Sequence, residues 1–217
     1  LTVFSCFYYY NNILANIKVN NIKTLSVDKL LFMKPLGSKT SLISFDKILE
    51  ESDIFTGSNL ADLGCGNSVF FLYSLATITA KNGKVFGVDI QPSIIETIKR
   101  EISHHSIEGV FPVLGNLDQL RGVPLDDNIL DRAFLINTLH QSSDIISMLG
   151  ESKRLLKKNG QIIIIDWDMI RMPLSPHIDR QVSQKTIEEA CLVLDLKIIK
   201  RFKPGKFHYG LILANKN

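Results

Sequence analysis

The chain is predicted to fold as a Rossmann-like α/β domain, a doubly wound and mostly parallel sheet finished by an antiparallel C-terminal hairpin strand. Three observations predict it. Apolar runs alternate with stretches of helical periodicity from Phe45 onward. The segment Leu60-Ala61-Asp62-Leu63-Gly64-Cys65-Gly66-Asn67-Ser68 reads as a buried strand that breaks into a glycine turn and opens a helix. Near the end, Leu196–Phe202 and Phe207–Ala214 flank Lys203-Pro204-Gly205-Lys206, the pattern of two strands joined by a tight turn.

Taken in order, Phe45, Ile48 and Leu49 have helical spacing and predict a lid helix over Ser44–Glu51. Asn59–Leu63 is the first strand, and Leu72, Leu75, Ala76 and Thr79 mark a helix that stops near Asn82-Gly83. Lys84–Asp89 is the second strand. Pro92 suits the first turn of the next helix, which runs to about His104, because a proline there loses no hydrogen bond. Val110–Leu114 is the third strand, Gly115–Asn128 a polar loop, and Asp131–Ile136 the fourth strand. Ser143–Lys158 is helical by its Ile145, Ile146, Leu149, Leu155 and Leu156, with Asn159-Gly160 as its stop. The nearly continuous apolar run Gln161–Trp167 fits a strand covered on both faces. A helix over Ser183–Leu194 leads into the hairpin.

Length and composition bound the rest. A chain of 217 residues, 45% hydrophobic and 22% charged, fits one globular domain. Its formal charge of +3 is too small an excess to signal a nucleic-acid partner. Cys6, Cys65 and Cys191 are odd in number and widely spaced, which suggests neither a disulfide framework nor a zinc site and points to a reducing cytoplasm. His104-His105 reads as an exposed helix end with no metal set beside it, so no metal is expected. The apolar opening Leu1–Tyr10 lacks a basic leader and is shorter than the roughly 20 residues of a membrane span. Residues 1–32, crowded with Asn11, Asn12, Asn16, Asn20 and Asn21, are read as an extension outside the fold, leaving 33–217 as the domain.

The chemistry sits at the strand ends. Asp89 ends the strand next to the glycine turn, where its carboxylate can accept hydrogen bonds from both hydroxyls of a ribose. The ligand therefore contains a nucleoside. Ser68 stands where a dinucleotide pyrophosphate favours a third glycine, so a ligand without phosphate fits the turn better.

With these motifs the sequence resembles the class I S-adenosylmethionine-dependent methyltransferases, in particular the ubiquinone/menaquinone C-methyltransferase group. The resemblance runs from about Phe45 to the C-terminus. It rests on LADLGCG at 60–66, GKVFGVDIQPSII at 83–95, GNLDQL with PLDDNILDRAFLINTLHQ, and ESKRLLKKNGQIIIIDW at 151–167. It implies the seven-stranded fold of that family, S-adenosylmethionine as cofactor and a small-molecule methyl acceptor.

Carried across by position, the resemblance implies that Gly64, Cys65 and Gly66 let the backbone approach the methionine portion, and that Asp62 holds the cofactor amine through water. Asp89 would take the ribose, Ile90 the adenine face, Asn116 and the Leu117 backbone the adenine edge, and the Asn137 backbone the methionine end. Asn116 departs from the more usual aspartate of the family, as Ser68 does from glycine. Cys65 reads as a small turn residue. His140 would face the transferred methyl, either as a base or as a helix-start residue shaping the pocket. Trp167, Arg180 and His208 are expected to rim the same face and bind the acceptor, against core packing for Trp167 and a surface ion pair for Arg180. A nicotinamide-dependent oxidoreductase and a catalytically degenerate cofactor-binding module are the competing readings. The first lacks its third glycine here and does not predict the terminal hairpin.

Overall fold

A computed structural model describes residues 42–67 and 69–216. The expectations for residues 1–32 and for Ser68 lie outside the described residues. The elements are α1 (Phe45–Glu51), β1 (Asn59–Leu63), α2 (Val69–Thr79), β2 (Lys84–Asp89), α3 (Pro92–His105), β3 (Val110–Leu114), β4 (Leu130–Ile136), α4 (Ile145–Leu155), β5 (Leu156–Trp167), α5 (Gln184–Val193), β6 (Leu196–Gly205) and β7 (His208–Asn215). The sheet runs β3-β2-β1-β4-β5-β7-β6, with β7 antiparallel to both of its neighbours and the remaining pairings parallel. The strand order reverses between β1 and β4, so a crevice opens at their carboxyl ends.

Each face of the sheet buries its own layer. On β5, Ile162 and Ile164 pack with Met148, Leu149 and Ile187 from α4 and α5, while Ile163 and Ile165 pack with Phe71, Leu72 and Ile98 from α2 and α3. Alternate side chains meet opposite layers. The run of four isoleucines is therefore apolar throughout, as two-sided burial requires. Helix α2 is buried at Phe71, Leu72, Leu75, Ala76, Ile78 and Thr79, because it lies between the sheet and α1.

Local signals set the helix ends. Ser44 caps α1 by accepting from the Lys47 amide at 3.2 Å, Asp144 caps α4 through the Ile146 and Ser147 amides, and Ser183 caps α5 through Thr186. α4 ends at Leu155, three residues before the predicted limit. Leu156 turns extended and pairs with Leu130, and the register slips before Arg132 meets Gln161. Strand pairing overrides the helical periodicity there. In the hairpin β6 continues to Gly205, and Lys206-Phe207 form the connection instead of the predicted four residues.

Two charged residues organise the frame. Glu151, fully buried on α4, accepts from the Arg121 and Val123 amides at 2.8 and 3.0 Å and pairs with Arg154 at 2.7 Å. Burial would push its pKa up, but these donors outweigh burial and hold it low. They also fix the loop 115–128. Arg132 on β4 donates to the Ser52 and Asp53 carbonyls at 2.7 and 3.0 Å, closing the last turn of α1. At its other end α1 is held by the Ser44 amide on the Pro204 carbonyl at 2.7 Å, and Glu51 pairs with Lys200. The helix predicted as a lid is pinned at both ends.

Candidate active site

The crevice is built from the turn after β1. Gly64 has φ +77°, and a Cβ there would lie 2.4 Å from Thr138 Cγ2. Only glycine lets β1 pass so close to the segment after β4. The Gly64 and Cys65 amides both donate to the Val88 carbonyl, at 2.8 and 2.9 Å, stitching the turn to β2. Gly66 also has positive φ, +49°, but a Cβ there would meet nothing within 4 Å. Its bare backbone faces open space, a cradle that a ligand can fill.

Asp89 ends β2 with its carboxylate held on both sides. Gly66 N–H donates to Oδ2 and Gln91 N–H to Oδ1, each at 2.9 Å. Each oxygen keeps a second lone pair, so the group can also accept two hydroxyls. Asp62, one strand over, is buried and has no hydrogen-bond partner among the described residues. Burial, reinforced by the nearby Asp89 charge, pushes its pKa up to about 7. Ile90 is 59% exposed at the mouth of β2. Cys65 is buried, and burial raises its thiol far above the range in which a thiolate forms, consistent with a small turn residue.

The loop after β3 brings Asn116 and the buried Leu117 alongside. Asn116 Oδ1 accepts from the Asp118 amide at 3.0 Å. Asp118 in turn holds the Ser142 and Ser143 hydroxyls, at 2.5 and 2.9 Å, and the Ser143 amide at 2.9 Å. This ties the loop to the segment after β4. There Asn137 takes positive φ, +54°, with its amide donating to the Ile165 carbonyl at 2.8 Å. Its buried side-chain Oδ1 has no partner among the described residues.

His140 follows in a short 3₁₀ turn. Its Nδ1 lies 3.5 Å from Asp166 Oδ1, while 17% of the side chain stays open to solvent. Asp166 is fully buried near the end of β5 and accepts from the Leu139 and Trp167 amides at 3.0 and 2.8 Å. Sequence reading missed Asp166. A carboxylate interrupting the run Ile162–Ile165 at a strand end was the available signal.

The acceptor side departs further from expectation. His208 is not at a rim: it is fully buried on β7, pairs with Trp167 in register, and stacks on its ring with centroids 4.2 Å apart. Burial lowers its pKa against the opposing pull of Asp166, Asp168 and the Leu42 carbonyl. Trp167 is buried too. Arg180 is exposed in a 3₁₀ turn of the segment between β5 and α5. Gln181 gathers that segment by accepting from the Ile170 amide and donating to the Ile170 and Pro176 carbonyls, at 2.8, 2.6 and 2.7 Å. Arg171, Met172, Ser175, Pro176, His177 and Ile178 line a groove of about 520 Å³ there. Away from the crevice, His104-His105 does have a companion, Glu101, against the expectation of an isolated pair.

The strand-end set of Asp62, Asp89, Asn137 Oδ1 and the open Gly66 consists of acceptors and space. It suits a ligand that brings hydroxyls, an amine and positive charge. A pyrophosphate wants amide donors instead, and the amides of Gly64, Cys65 and Gly66 are already committed within the protein. S-adenosylmethionine fits this set of acceptors.

Residues 54–214 match the family model described as a methyltransferase domain. The demethylmenaquinone methyltransferase of Staphylococcus saprophyticus is 27% identical over 142 residues, covering 62% of this chain and 58% of that protein. The chain spans about half the length of the curated relatives it matches. A SAM-dependent methyltransferase from Aquifex aeolicus superposes with a TM-score of 0.73 at 22% identity, covering 88% of this chain and 98% of the other. The [4+2]-cyclase SpnF superposes with a TM-score of 0.66 at 13% identity over 78% of this chain and 79% of the other. No helix among the described residues is long and apolar enough to cross a membrane. The chain belongs to the methyltransferase-domain family and has the class I S-adenosylmethionine-dependent methyltransferase fold.

Proposed function

We propose that this chain moves the methyl group of S-adenosylmethionine to a small-molecule acceptor. The observation that carries the reading is the buried Asp62 carboxyl, without a hydrogen-bond partner among the described residues, near the doubly anchored Asp89 and the open backbone of Gly66. When bound, the cofactor supplies an electrophilic methyl on a sulfonium. Asp89 holds the ribose hydroxyls, and Asp62, ionised by the approaching positive charge, holds the amine through water. Gly64, Cys65 and Gly66 give the methionine portion its approach, and Asn137 flanks it. Ile90 covers the adenine face, and Asn116 with the Leu117 backbone meets the adenine edge.

His140 is assigned as the base. Asp166 lies on its Nδ1 side, so a proton held on Nδ1 would leave the Nε2 lone pair available to accept another. His140 Nε2 would take the acceptor's proton, and the bound cofactor would supply the methyl, its sulfur–methyl bond breaking to leave S-adenosylhomocysteine. Trp167 forms a wall of the acceptor pocket, braced by the ring of His208 on the neighbouring strand. Arg180, on the surface segment, takes an acidic group of the acceptor.

Calorimetry with S-adenosylmethionine and with NAD tests the cofactor, and tighter NAD binding would overturn the reading. Release of S-adenosylhomocysteine against a panel of quinols, phenols and amines tests the transfer. Cofactor binding with no product from any acceptor would favour a binding module.

A further inference from the structure

The last turn of α3 carries Glu101, His104 and His105, a Glu-x-x-His-His run whose members fall at i, i+3 and i+4 on one helix face. Their ligand atoms lie within 4.8 Å of one another. His104 Nδ1 is 3.3 Å from His105 Nε2, and His105 Nε2 is 3.4 Å from Glu101 Oε2. A tetrahedral ion bound at about 2.0–2.1 Å holds its ligand atoms about 3.3–3.4 Å apart, so two edges of such a site are already drawn. Glu101 and His105 are half-buried and His104 is exposed, which limits their wandering yet leaves the fourth position to water. The helix ends here at Ser106, whose φ of 49° closes the turn, and the negative pole of the helix dipole adds to the attraction for a cation.

We propose that Glu101, His104 and His105 form a three-ligand site for a borderline divalent cation of the zinc or nickel kind. Two imidazoles and one carboxylate favour such ions over magnesium or calcium, which take oxygen ligands. The site does not serve the chemistry of the crevice. Helix α3 starts beside Asp89, and its fourteen residues carry the histidines about 20 Å away. The bound ion clamps the end of α3 and stabilises the fold, independently of the acceptor and of the proposed methyl transfer.

The test uses the full chain without a histidine tag, in a Cys6→Ser background so that this thiol is not counted. Calorimetry with zinc should give one ion per chain, with magnesium unable to compete. Glu101→Ala, His104→Ala and His105→Ala should each weaken zinc at least about tenfold. Zinc should also raise the melting temperature of the parent, and this rise should vanish in the His104→Ala/His105→Ala double variant. Circular dichroism of the surface variants establishes that they fold. Undiminished zinc affinity in the double variant, an effect of only one of the three substitutions, saturation only at millimolar zinc, or equal affinity for magnesium would each overturn the site.

Discussion

The two halves of the crevice are built differently. At the β1–β2 half, apart from the Asp62 carboxyl, the backbone does the holding: Asp89 is fixed by two amides and the glycine turn by the Val88 carbonyl, with Gly64 confined by the lack of space against Thr138. At the β4–β5 half, His140 stands 3.5 Å from its carboxylate, Asn137 Oδ1 has no partner among the described residues, and Arg180 lies exposed. Rigid backbone anchoring suits a ligand that is the same in every turnover. Side chains with slack can adjust to what enters beside them.

That contrast can be broken by substitution. Gly64→Ala combines a left-handed conformation with a 2.4 Å clash, and should cost about 3–5 kcal/mol in urea denaturation. Gly66→Ala, with open space around it, should lose only about 1 kcal/mol of stability but most of its affinity for the cofactor. Equal losses of stability would erase the distinction between the two glycines.

Asp62 gives the next largest effect. Its folded pKa, about 7, lies above the ordinary carboxylate value, so the folded state holds an extra proton between these limits. Stability should therefore fall as pH rises from about 4 to 7, by up to about 4 kcal/mol. Asp62→Asn should remove that slope and be the more stable protein at pH 8, while binding the cofactor less well. In the parent, a cationic ligand favours the ionised form. Binding should release a proton below pH 7, and affinity should drop as pH is lowered through this value, both measurable by calorimetry in buffers of different ionisation enthalpy.

His140→Ala should slow turnover of an identified acceptor at least about 100-fold, equivalent to about 3 kcal/mol, with cofactor affinity unchanged. Full activity across pH would leave positioning alone as the mechanism. Asp89→Ala should weaken cofactor binding by about 1–3 kcal/mol. Arg180→Ala should change stability by less than about 0.5 kcal/mol and be felt in the KM for an acidic acceptor.

The more rigid half was also the more legible. Asn59–Leu63, Lys84–Asp89 and Val110–Leu114 have the predicted limits because each run is bounded by turn residues, and the first two are also buried along nearly their whole length. The strand-end acids follow from those limits. Asp166 stood out only as a carboxylate ending the isoleucine run, and its partner was not legible, since the fold carries the Leu139 amide to it from another strand's exit. His208 misled for a related reason. Polarity suggested a rim, whereas its register opposite Trp167 inside the sheet decides its place. The end of α4 was lost because pairing between Leu130 and Leu156 is a distant contact, and periodicity reports only on neighbours. Glu101 escaped notice because only the two adjacent histidines were read as a unit.

The strap formed by α1 joins an early part of the chain to the last strands made. Its start rests on Pro204 and its Glu51 on Lys200, more than 140 residues downstream. During synthesis this helix gains its hold from Arg132 well before the β6–β7 hairpin emerges, and only the contacts with Pro204 and Lys200 wait for β6. A protein stopped short of Lys200 would keep the Arg132 hold on Ser52 and Asp53 but lose both moorings of α1 on β6, and pulse proteolysis should cut at α1 before the sheet itself gives way.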